Sequence, residues 1–252
     1  MSLLSGVRLE FKKIKRSMIL PLLAVPSILV IITGMASIGK YLSSQPKNAW
    51  EMMFVQSSLM FAYYLMPLSL IIICVMMLQT EYAHRSIIKV LTLPIRQEKI
   101  ALAKLITIVL LTAVELILYF LLFIAAGSIT TMVSGVSVVT PIPYLLKWCV
   151  LLFVSALPMV TIFWAITVLT HRPIAAIAIE FVFVLPGILV SNLPIWWAYP
   201  FNYPGYLISS ELSHLSGSSQ TANLPQFWIA AVVLTTVSAA LSIQRFAKGE
   251  IE

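Results

Sequence analysis

Aspartate is absent from all 252 residues, and charged side chains of any kind make up only 10% of the chain. The first absence removes every mechanism that needs an aspartate ligand, base or nucleophile, including a Walker B carboxylate and an aspartate-rich metal site. No Gly-rich phosphate loop of the GxxxxGK kind, followed by Ser or Thr, occurs either, so any work done with ATP falls to another chain. HExxH and GxSxG are missing, and the three histidines, His84, His171 and His214, lie far apart. Cysteine is used twice, at Cys74 and Cys149, each inside an apolar run. Such positions imply small buried hydrophobes and neither a disulfide framework nor a metal cluster.

What is present is apolar surface. Sixty percent of the residues are apolar and the mean hydropathy is +1.00, whereas soluble domains carry roughly 25% charged residues. A soluble protein is excluded. A bilayer core asks for about 20 mostly apolar residues per helix, and six stretches between the charges meet that length: 18–38, 52–80, 100–129, 142–170, 173–196 and 227–244. The expected fold is an all-α integral membrane protein forming one transmembrane domain over 1–252. Several spans exceed the minimum, which predicts tilt or kinks, with Pro21, Pro26, Pro67, Pro158 and the Pro186–Gly187 pair as kink sites.

The first apolar stretch follows Lys12, Lys13, Lys15 and Arg16 and is too long for the h-region of a cleaved signal peptide, so it reads as a retained anchor. With the amino terminus inside, thirteen of the sixteen Lys and Arg fall on the cytoplasmic side, leaving only Lys40, Lys47 and Lys147 outside. That bias orients the chain, and an even number of spans returns the carboxyl terminus to the cytoplasm. The pI near 9.5 is therefore a topology device, and nucleic acid is not an expected partner. The membrane lipid is.

Three segments outside the spans carry pattern. In 1–17, Leu3, Leu4, Val7, Phe11 and Ile14 share one helical face, while Arg8, Lys12, Lys15 and Arg16 fall mostly on another; Leu9 and Glu10 are exceptions. This predicts an interfacial helix along the inner leaflet. The loop 81–99 is the one cytoplasmic connection long enough to fold: Ile87, Val90 and Leu91 share a face, Arg85 and Lys89 form an i, i+4 pair, and Pro94 stops the helix. A docking element is the expectation, a plain charged hairpin the simpler alternative. The outer loop 197–226 follows Trp196 and opens with Trp197, Tyr199, Phe201, Tyr203 and Tyr206. Those rings suit an aromatic belt at headgroup depth, or short re-entrant pieces covered by protein; both arrangements stay open on sequence.

Two carboxylates lie within spans, Glu115 and Glu180. A charge at that depth costs a few kcal/mol or more, so each is expected to face the bundle interior, a cavity or a partner, with Thr112 and Tyr119 one turn from Glu115 as hydrogen-bond candidates. They are the candidates for a transmembrane pathway lining or interface, and hydrogen-bonded packing is the simpler reading of both.

Together, an amphipathic elbow helix, six spans with both ends inside, a helical loop after span two and a broken aromatic outer loop resemble the type-2 ABC exporter permease family. The loop carries the likeness most specifically. In that family span two ends in a glutamate, a short helix follows, then a proline, basic residues and a lysine entering span three; here these are Glu81, the stretch 83–93, Pro94 with Arg96, and Lys104. The size and the lack of a fused ATPase are similar to lantibiotic-immunity and bacteriocin-resistance permease subunits. The resemblance implies a dimer of permeases, identical or paired with a sister chain, on a dimer of separate ATPase subunits in a bacterial plasma membrane. It makes Glu81, Arg85, Ile87, Lys89, Val90 and Leu91 the coupling residues. No cofactor belongs to this chain, ATP and Mg being held by the ATPase, and the chain itself is not expected to be an enzyme. Export of antimicrobial peptide is the implied function, with lipid or small hydrophobic drugs as the alternative cargo. A secondary transporter or channel would predict an internal repeat, and the loop after span two has no counterpart after span four. A structural membrane subunit is a further alternative.

Overall fold

The computed structural model describes residues 3–15, 17–44, 49–83, 97–134, 140–170, 172–215, 217 and 224–249, with side chains given for all of these except 33–44, 49, 80–83, 130, 133–134, 224 and 248–249. Among the described residues every regular element is a helix. This is what a lipid environment selects, because a helix satisfies its own backbone groups where water is absent.

Helix α1 (Leu3–Ile14) precedes α2 (Ile19–Ser44), the first span. The second span is α3 (Ala49–Met60), a π turn (Phe61–Leu65) and α4 (Met66–Ala83) in succession. Helix α5 (Gln97–Ser134) is the third span and α6 (Ile142–Thr170) the fourth. The fifth is broken, α7 (Pro173–Val184) being followed by the short α8 (Gly187–Ser191). Two 3-10 turns, Trp196–Ala198 and Pro200–Asn202, lead into α9 (Tyr203–Leu215), and α10 (Leu224–Gly249) closes the bundle. Five stretches are long and apolar enough to cross a bilayer, and the count reaches six when α1 and the first half of α2 are taken as one bent span.

Proline chemistry explains the interruptions. Pro26 and Pro158 stand inside continuous helices, whereas Pro67 stands directly behind the π turn and Pro186 separates α7 from α8. Arg172 is extended at φ −117° and ψ 111° before Pro173, since a proline bars its predecessor from the helical region. Pro173 then opens α7, where a missing N–H costs nothing.

Helices α5 and α6 form the centre. Helices α1, α2, α6 and α10 all pack on α5, while α4, α7, α9 and α10 pack on α6. Helix α7 buries the stripe Ala176, Glu180 and Val184 and leaves Ile174 and Val182 exposed, as Leu189 of α8 is. The aromatic outer segment is folded in. Trp196, Phe201, Tyr203 and Tyr206 are buried, Trp197 and Tyr199 are half-buried, and Trp196 stacks on Tyr206 at 3.6 Å. Helix α9 packs on α3, the π turn, α6 and α8, so this segment is a packed cap instead of a loose belt.

Candidate functional site

The polar residues of the spans form paired contacts that tie helices together, and the second span is the element most of them hold. Glu115 of α5 and Ser69 of α4 meet at 2.5 Å between Oε1 and Oγ, with both side chains buried. Ser69 Oγ also lies 2.8 Å from the Met66 carbonyl. A hydroxyl has one proton, so it either shares that proton between the two acceptors or accepts from a protonated carboxyl. Glu115 Oε2 has no hydrogen-bond partner among the described residues.

Glu180 of α7 accepts from Thr167 Oγ1 of α6 at 2.8 Å, and Cys74 of α4 lies within electrostatic reach of it. Its Oε2 is likewise without a hydrogen-bond partner among the described residues. Ser69 and Cys74 are five residues apart, which turns them about 140° from one another around α4. The two carboxyls therefore flank α4 on different sides and are not gathered into one site. Each is 0% exposed, so in this conformation neither lines an open pathway.

Tyr119, one turn past Glu115, serves α3 instead. Its hydroxyl is 2.8 Å from Ser58 Oγ and 3.4 Å from Ser57 Oγ, and its ring stacks on Phe61 at 4.2 Å. The sequence reading had offered Thr112 and Tyr119 to Glu115. The correction has a simple cause: Thr112 Oγ1 donates to the carbonyl one turn back, Ile108 O, at 3.0 Å, and a hydroxyl on the same helix reaches its own backbone more easily than a neighbouring side chain.

At the cytoplasmic end of α5 by the charge-bias topology, Lys104 donates to Glu10 Oε2 at 3.3 Å and Lys13 to Glu10 Oε1 at 2.9 Å. Lys104 is 0% and Glu10 5% exposed. The apolar face read from the sequence of α1 is thus rotated. Glu10 and Ile14 face α5, while Leu3, Leu4 and Leu9 are exposed, and Gly6 makes the approach possible, since a Cβ there would sit 3.2 Å from Ala103 Cβ. Glu10, an exception to the amphipathic pattern, was the signal for this anchor.

Arg85, Ile87, Lys89, Val90 and Leu91 lie outside the described residues, as do Arg16, His171 and the side chain of Glu81. Of the outer-loop rings, Tyr199 donates to Phe183 O at 2.5 Å and Tyr203 donates to Trp197 O, which ties the cap to α7 and to itself. Sequence reasoning missed Ser57, Ser58, Ser69 and Thr167, because a lone hydroxyl in an apolar helix has no pattern to mark it, and it missed Tyr63, Ser191 and Asn202, described below. At the other end of the bundle the carboxylates Glu51 and Glu211, remote in sequence, converge on Tyr144: its hydroxyl donates to Glu211 Oε1 at 3.1 Å, and Glu51 is within electrostatic reach. Among the described residues no three His, Cys or Glu side chains gather as metal ligands.

No curated protein and no solved structure matches the chain. A family model does match, described as ABC-2 family transporter protein, over residues 7–187. The matched stretch runs from the elbow helix to the break in the fifth span, taking in every contact that flanks α4, and leaves the cap and the last span beyond it. With well over half of its length matched, this multi-pass membrane protein belongs to the ABC-2 transporter family, whose members are membrane subunits that work with an ABC ATPase.

Proposed function

We propose that this chain is the permease subunit of a bacterial ATP-driven exporter that expels antimicrobial peptides of the lantibiotic or bacteriocin class, conferring self-immunity or resistance. Two copies, or one copy and a sister permease, sit in the plasma membrane with both termini cytoplasmic, on a dimer of separate ATPases that hold ATP and Mg. The loop 81–99 is the coupling element, with Glu81, Arg85, Ile87, Lys89, Val90 and Leu91 meeting the ATPase.

The observation that carries the exporter reading is the family match over residues 7–187. For the cargo, the support is the polarity of the membrane and outer faces. Glu51 and Glu211 are drawn together on Tyr144 beside Phe54 and Trp148, and no ion pair involves either carboxylate among the described residues. Carboxylates and aromatic faces in one place attract a cationic, amphipathic peptide held at the bilayer surface. Glu115 and Glu180 serve such a cargo only after a rearrangement, because both are enclosed in this state.

The test is expression with the cognate ATPase in a host sensitive to cationic lantibiotics. Raised resistance that disappears on loss of ATPase activity is the expected result. Unchanged susceptibility to the peptides, with altered resistance to small hydrophobic drugs, would replace the cargo with drugs or lipid and keep the exporter.

A further inference from the structure

Pro67 has no N–H to give to the carbonyl of Tyr63, and its ring crowds that carbonyl. The chain before it widens into the π turn Phe61–Leu65, closed by Met66 N–H on Phe61 O. Turns of this kind are uncommon and concentrate at working parts of proteins. Here the widened turn presents two rings in different directions. Phe61 stacks on Tyr119 of α5, whereas Tyr63 enters the cap.

Tyr63 is 3% exposed. Its hydroxyl donates to Ser191 Oγ at 2.9 Å, with Ser209 of α9 also in hydrogen-bonding reach. Ser191 ends α8, gives its own proton to Gly187 O at 2.8 Å and accepts a second bond from Asn202 Nδ2 at 3.2 Å. The Tyr63 ring lies on the backbone of α9 at Gly205, where a Cβ would fall 2.3 Å from Cδ1 and 2.5 Å from Cε1. One ring thus touches the second span, the broken fifth span and the cap. Asn202 is fully buried, yet its Oδ1 has no hydrogen-bond partner among the described residues. An orphaned buried acceptor of this kind is costly, and it belongs to the same amide that donates to Ser191.

We propose that Tyr63 is a positioning residue for transport: a latch that holds the cap closed on Ser191 and opens by turning its hydroxyl hydrogen bond from Ser191 toward the Oδ1 of Asn202 when the second span moves. The travel comes from the π turn, which Pro67 keeps from closing to α geometry and which leaves the second span able to bend there. Gly205 gives the ring its seat, since a side chain there would collide with it. Ser191 Oγ and Asn202 Oδ1 as alternative acceptors would give the element two discrete states, which is what a coupling between distant sites requires. The proposal rests on the exporter reading, since the force arrives from an ATPase through the far end of α4.

The experiment uses the permease–ATPase complex in lipid nanodiscs, with Cys74 and Cys149 replaced by Ser and Ile208→Cys as reporter. Ile208 is buried in the cap. Reaction with a membrane-impermeant maleimide is slow in the resting complex and rises roughly fivefold or more when vanadate traps the ATPase. Tyr63→Phe and Ser191→Ala react fast without nucleotide and keep basal ATP hydrolysis. Asn202→Val removes the open-state acceptor together with the Nδ2 donor to Ser191, so it is read by its response to nucleotide: vanadate no longer raises the rate above its resting value. A vanadate-driven rise in Asn202→Val equal to that of the parent would reduce Tyr63 to ordinary packing and overturn the latch. So would a complex that transports while the reporter ignores nucleotide, which leaves the exporter intact. If no ATPase assembles, the exporter reading fails instead, and equal resting rates for the parent chain and Tyr63→Phe then overturn the latch as well.

Discussion

The ion pair between Glu10 and Lys104 shows how far a single residue can depart from the helical wheel that contains it. Lys104 is fully enclosed and Glu10 is shared with Lys13, so removing one partner weakens a buried network, an effect smaller than the about 3–5 kcal/mol of a buried charge left with no partner. Glu10→Gln and Lys104→Gln should each lower the thermal midpoint of the purified protein clearly, and the double variant should lose less than the two single losses combined. Strict additivity in that cycle would mean the two side chains do not depend on each other. At Glu115 the hydrogen inventory makes a second prediction. Glu115→Gln keeps a donor for Ser69 and should assemble and transport nearly as the parent does, whereas Glu115→Ala leaves a cavity and should lose about 2–5 kcal/mol; a Gln variant as damaged as Ala would remove the carboxyl-donor reading. Sequence showed both glutamates as unusual but not what they touch. Ser69 stands 46 positions from Glu115 in the chain, and no spacing rule of a single helix connects them.

Among the elements, the second span departs furthest from its sequence reading. The sequence marked Pro67 as a kink site, and the structure answers with a π turn on its N-terminal side. Pro67→Ala restores the missing donor, so the turn should relax to α geometry and displace either Phe61 from Tyr119 or Tyr63 from Gly205. The expected outcome is loss of transport with the complex still assembled, scored by fluorescent-peptide efflux; full efflux would show that the widened turn is dispensable. Long apolar helices were legible because lipid imposes one simple requirement on all of them, while the cap was not. Its short helices are set by which ring meets which, as in the contacts of Phe201 with Phe163 and Phe183, and composition alone left belt and re-entrant segment undecided. For the coupling loop, Ile87→Asp or charge reversal at Arg85 or Lys89 should leave the permease in the membrane while uncoupling ATP hydrolysis from transport. Cysteine cross-linking from position 87 to the ATPase checks this, and cross-links found only from another loop would count against it.

At the scale of the whole molecule, burial is distributed unevenly. The apolar windows of α7 and α10 are only 22% buried, against 61% for the second span. One stripe of α7 holds the bundle and the remainder faces outward, to lipid or to a second permease. Cysteines introduced singly at Ile177 and Val182, in a background without Cys74 and Cys149, should join two copies across α7 if the fifth span forms the dimer contact; cross-linking from α10 alone would move that contact. The cap, seated between the second and fifth spans, would then lie close to the dimer axis, where an outward path between two copies would emerge. The same cap contains a natural optical signal. Trp196 is stacked against Tyr206, with Phe227 5.7 Å away on the last span, so its indole emits from a rigid, dry surrounding. Any opening that wets this ring should shift its emission to longer wavelength and make it accessible to aqueous quenchers, so a variant that keeps only Trp196 of the six tryptophans can report the cap in real time.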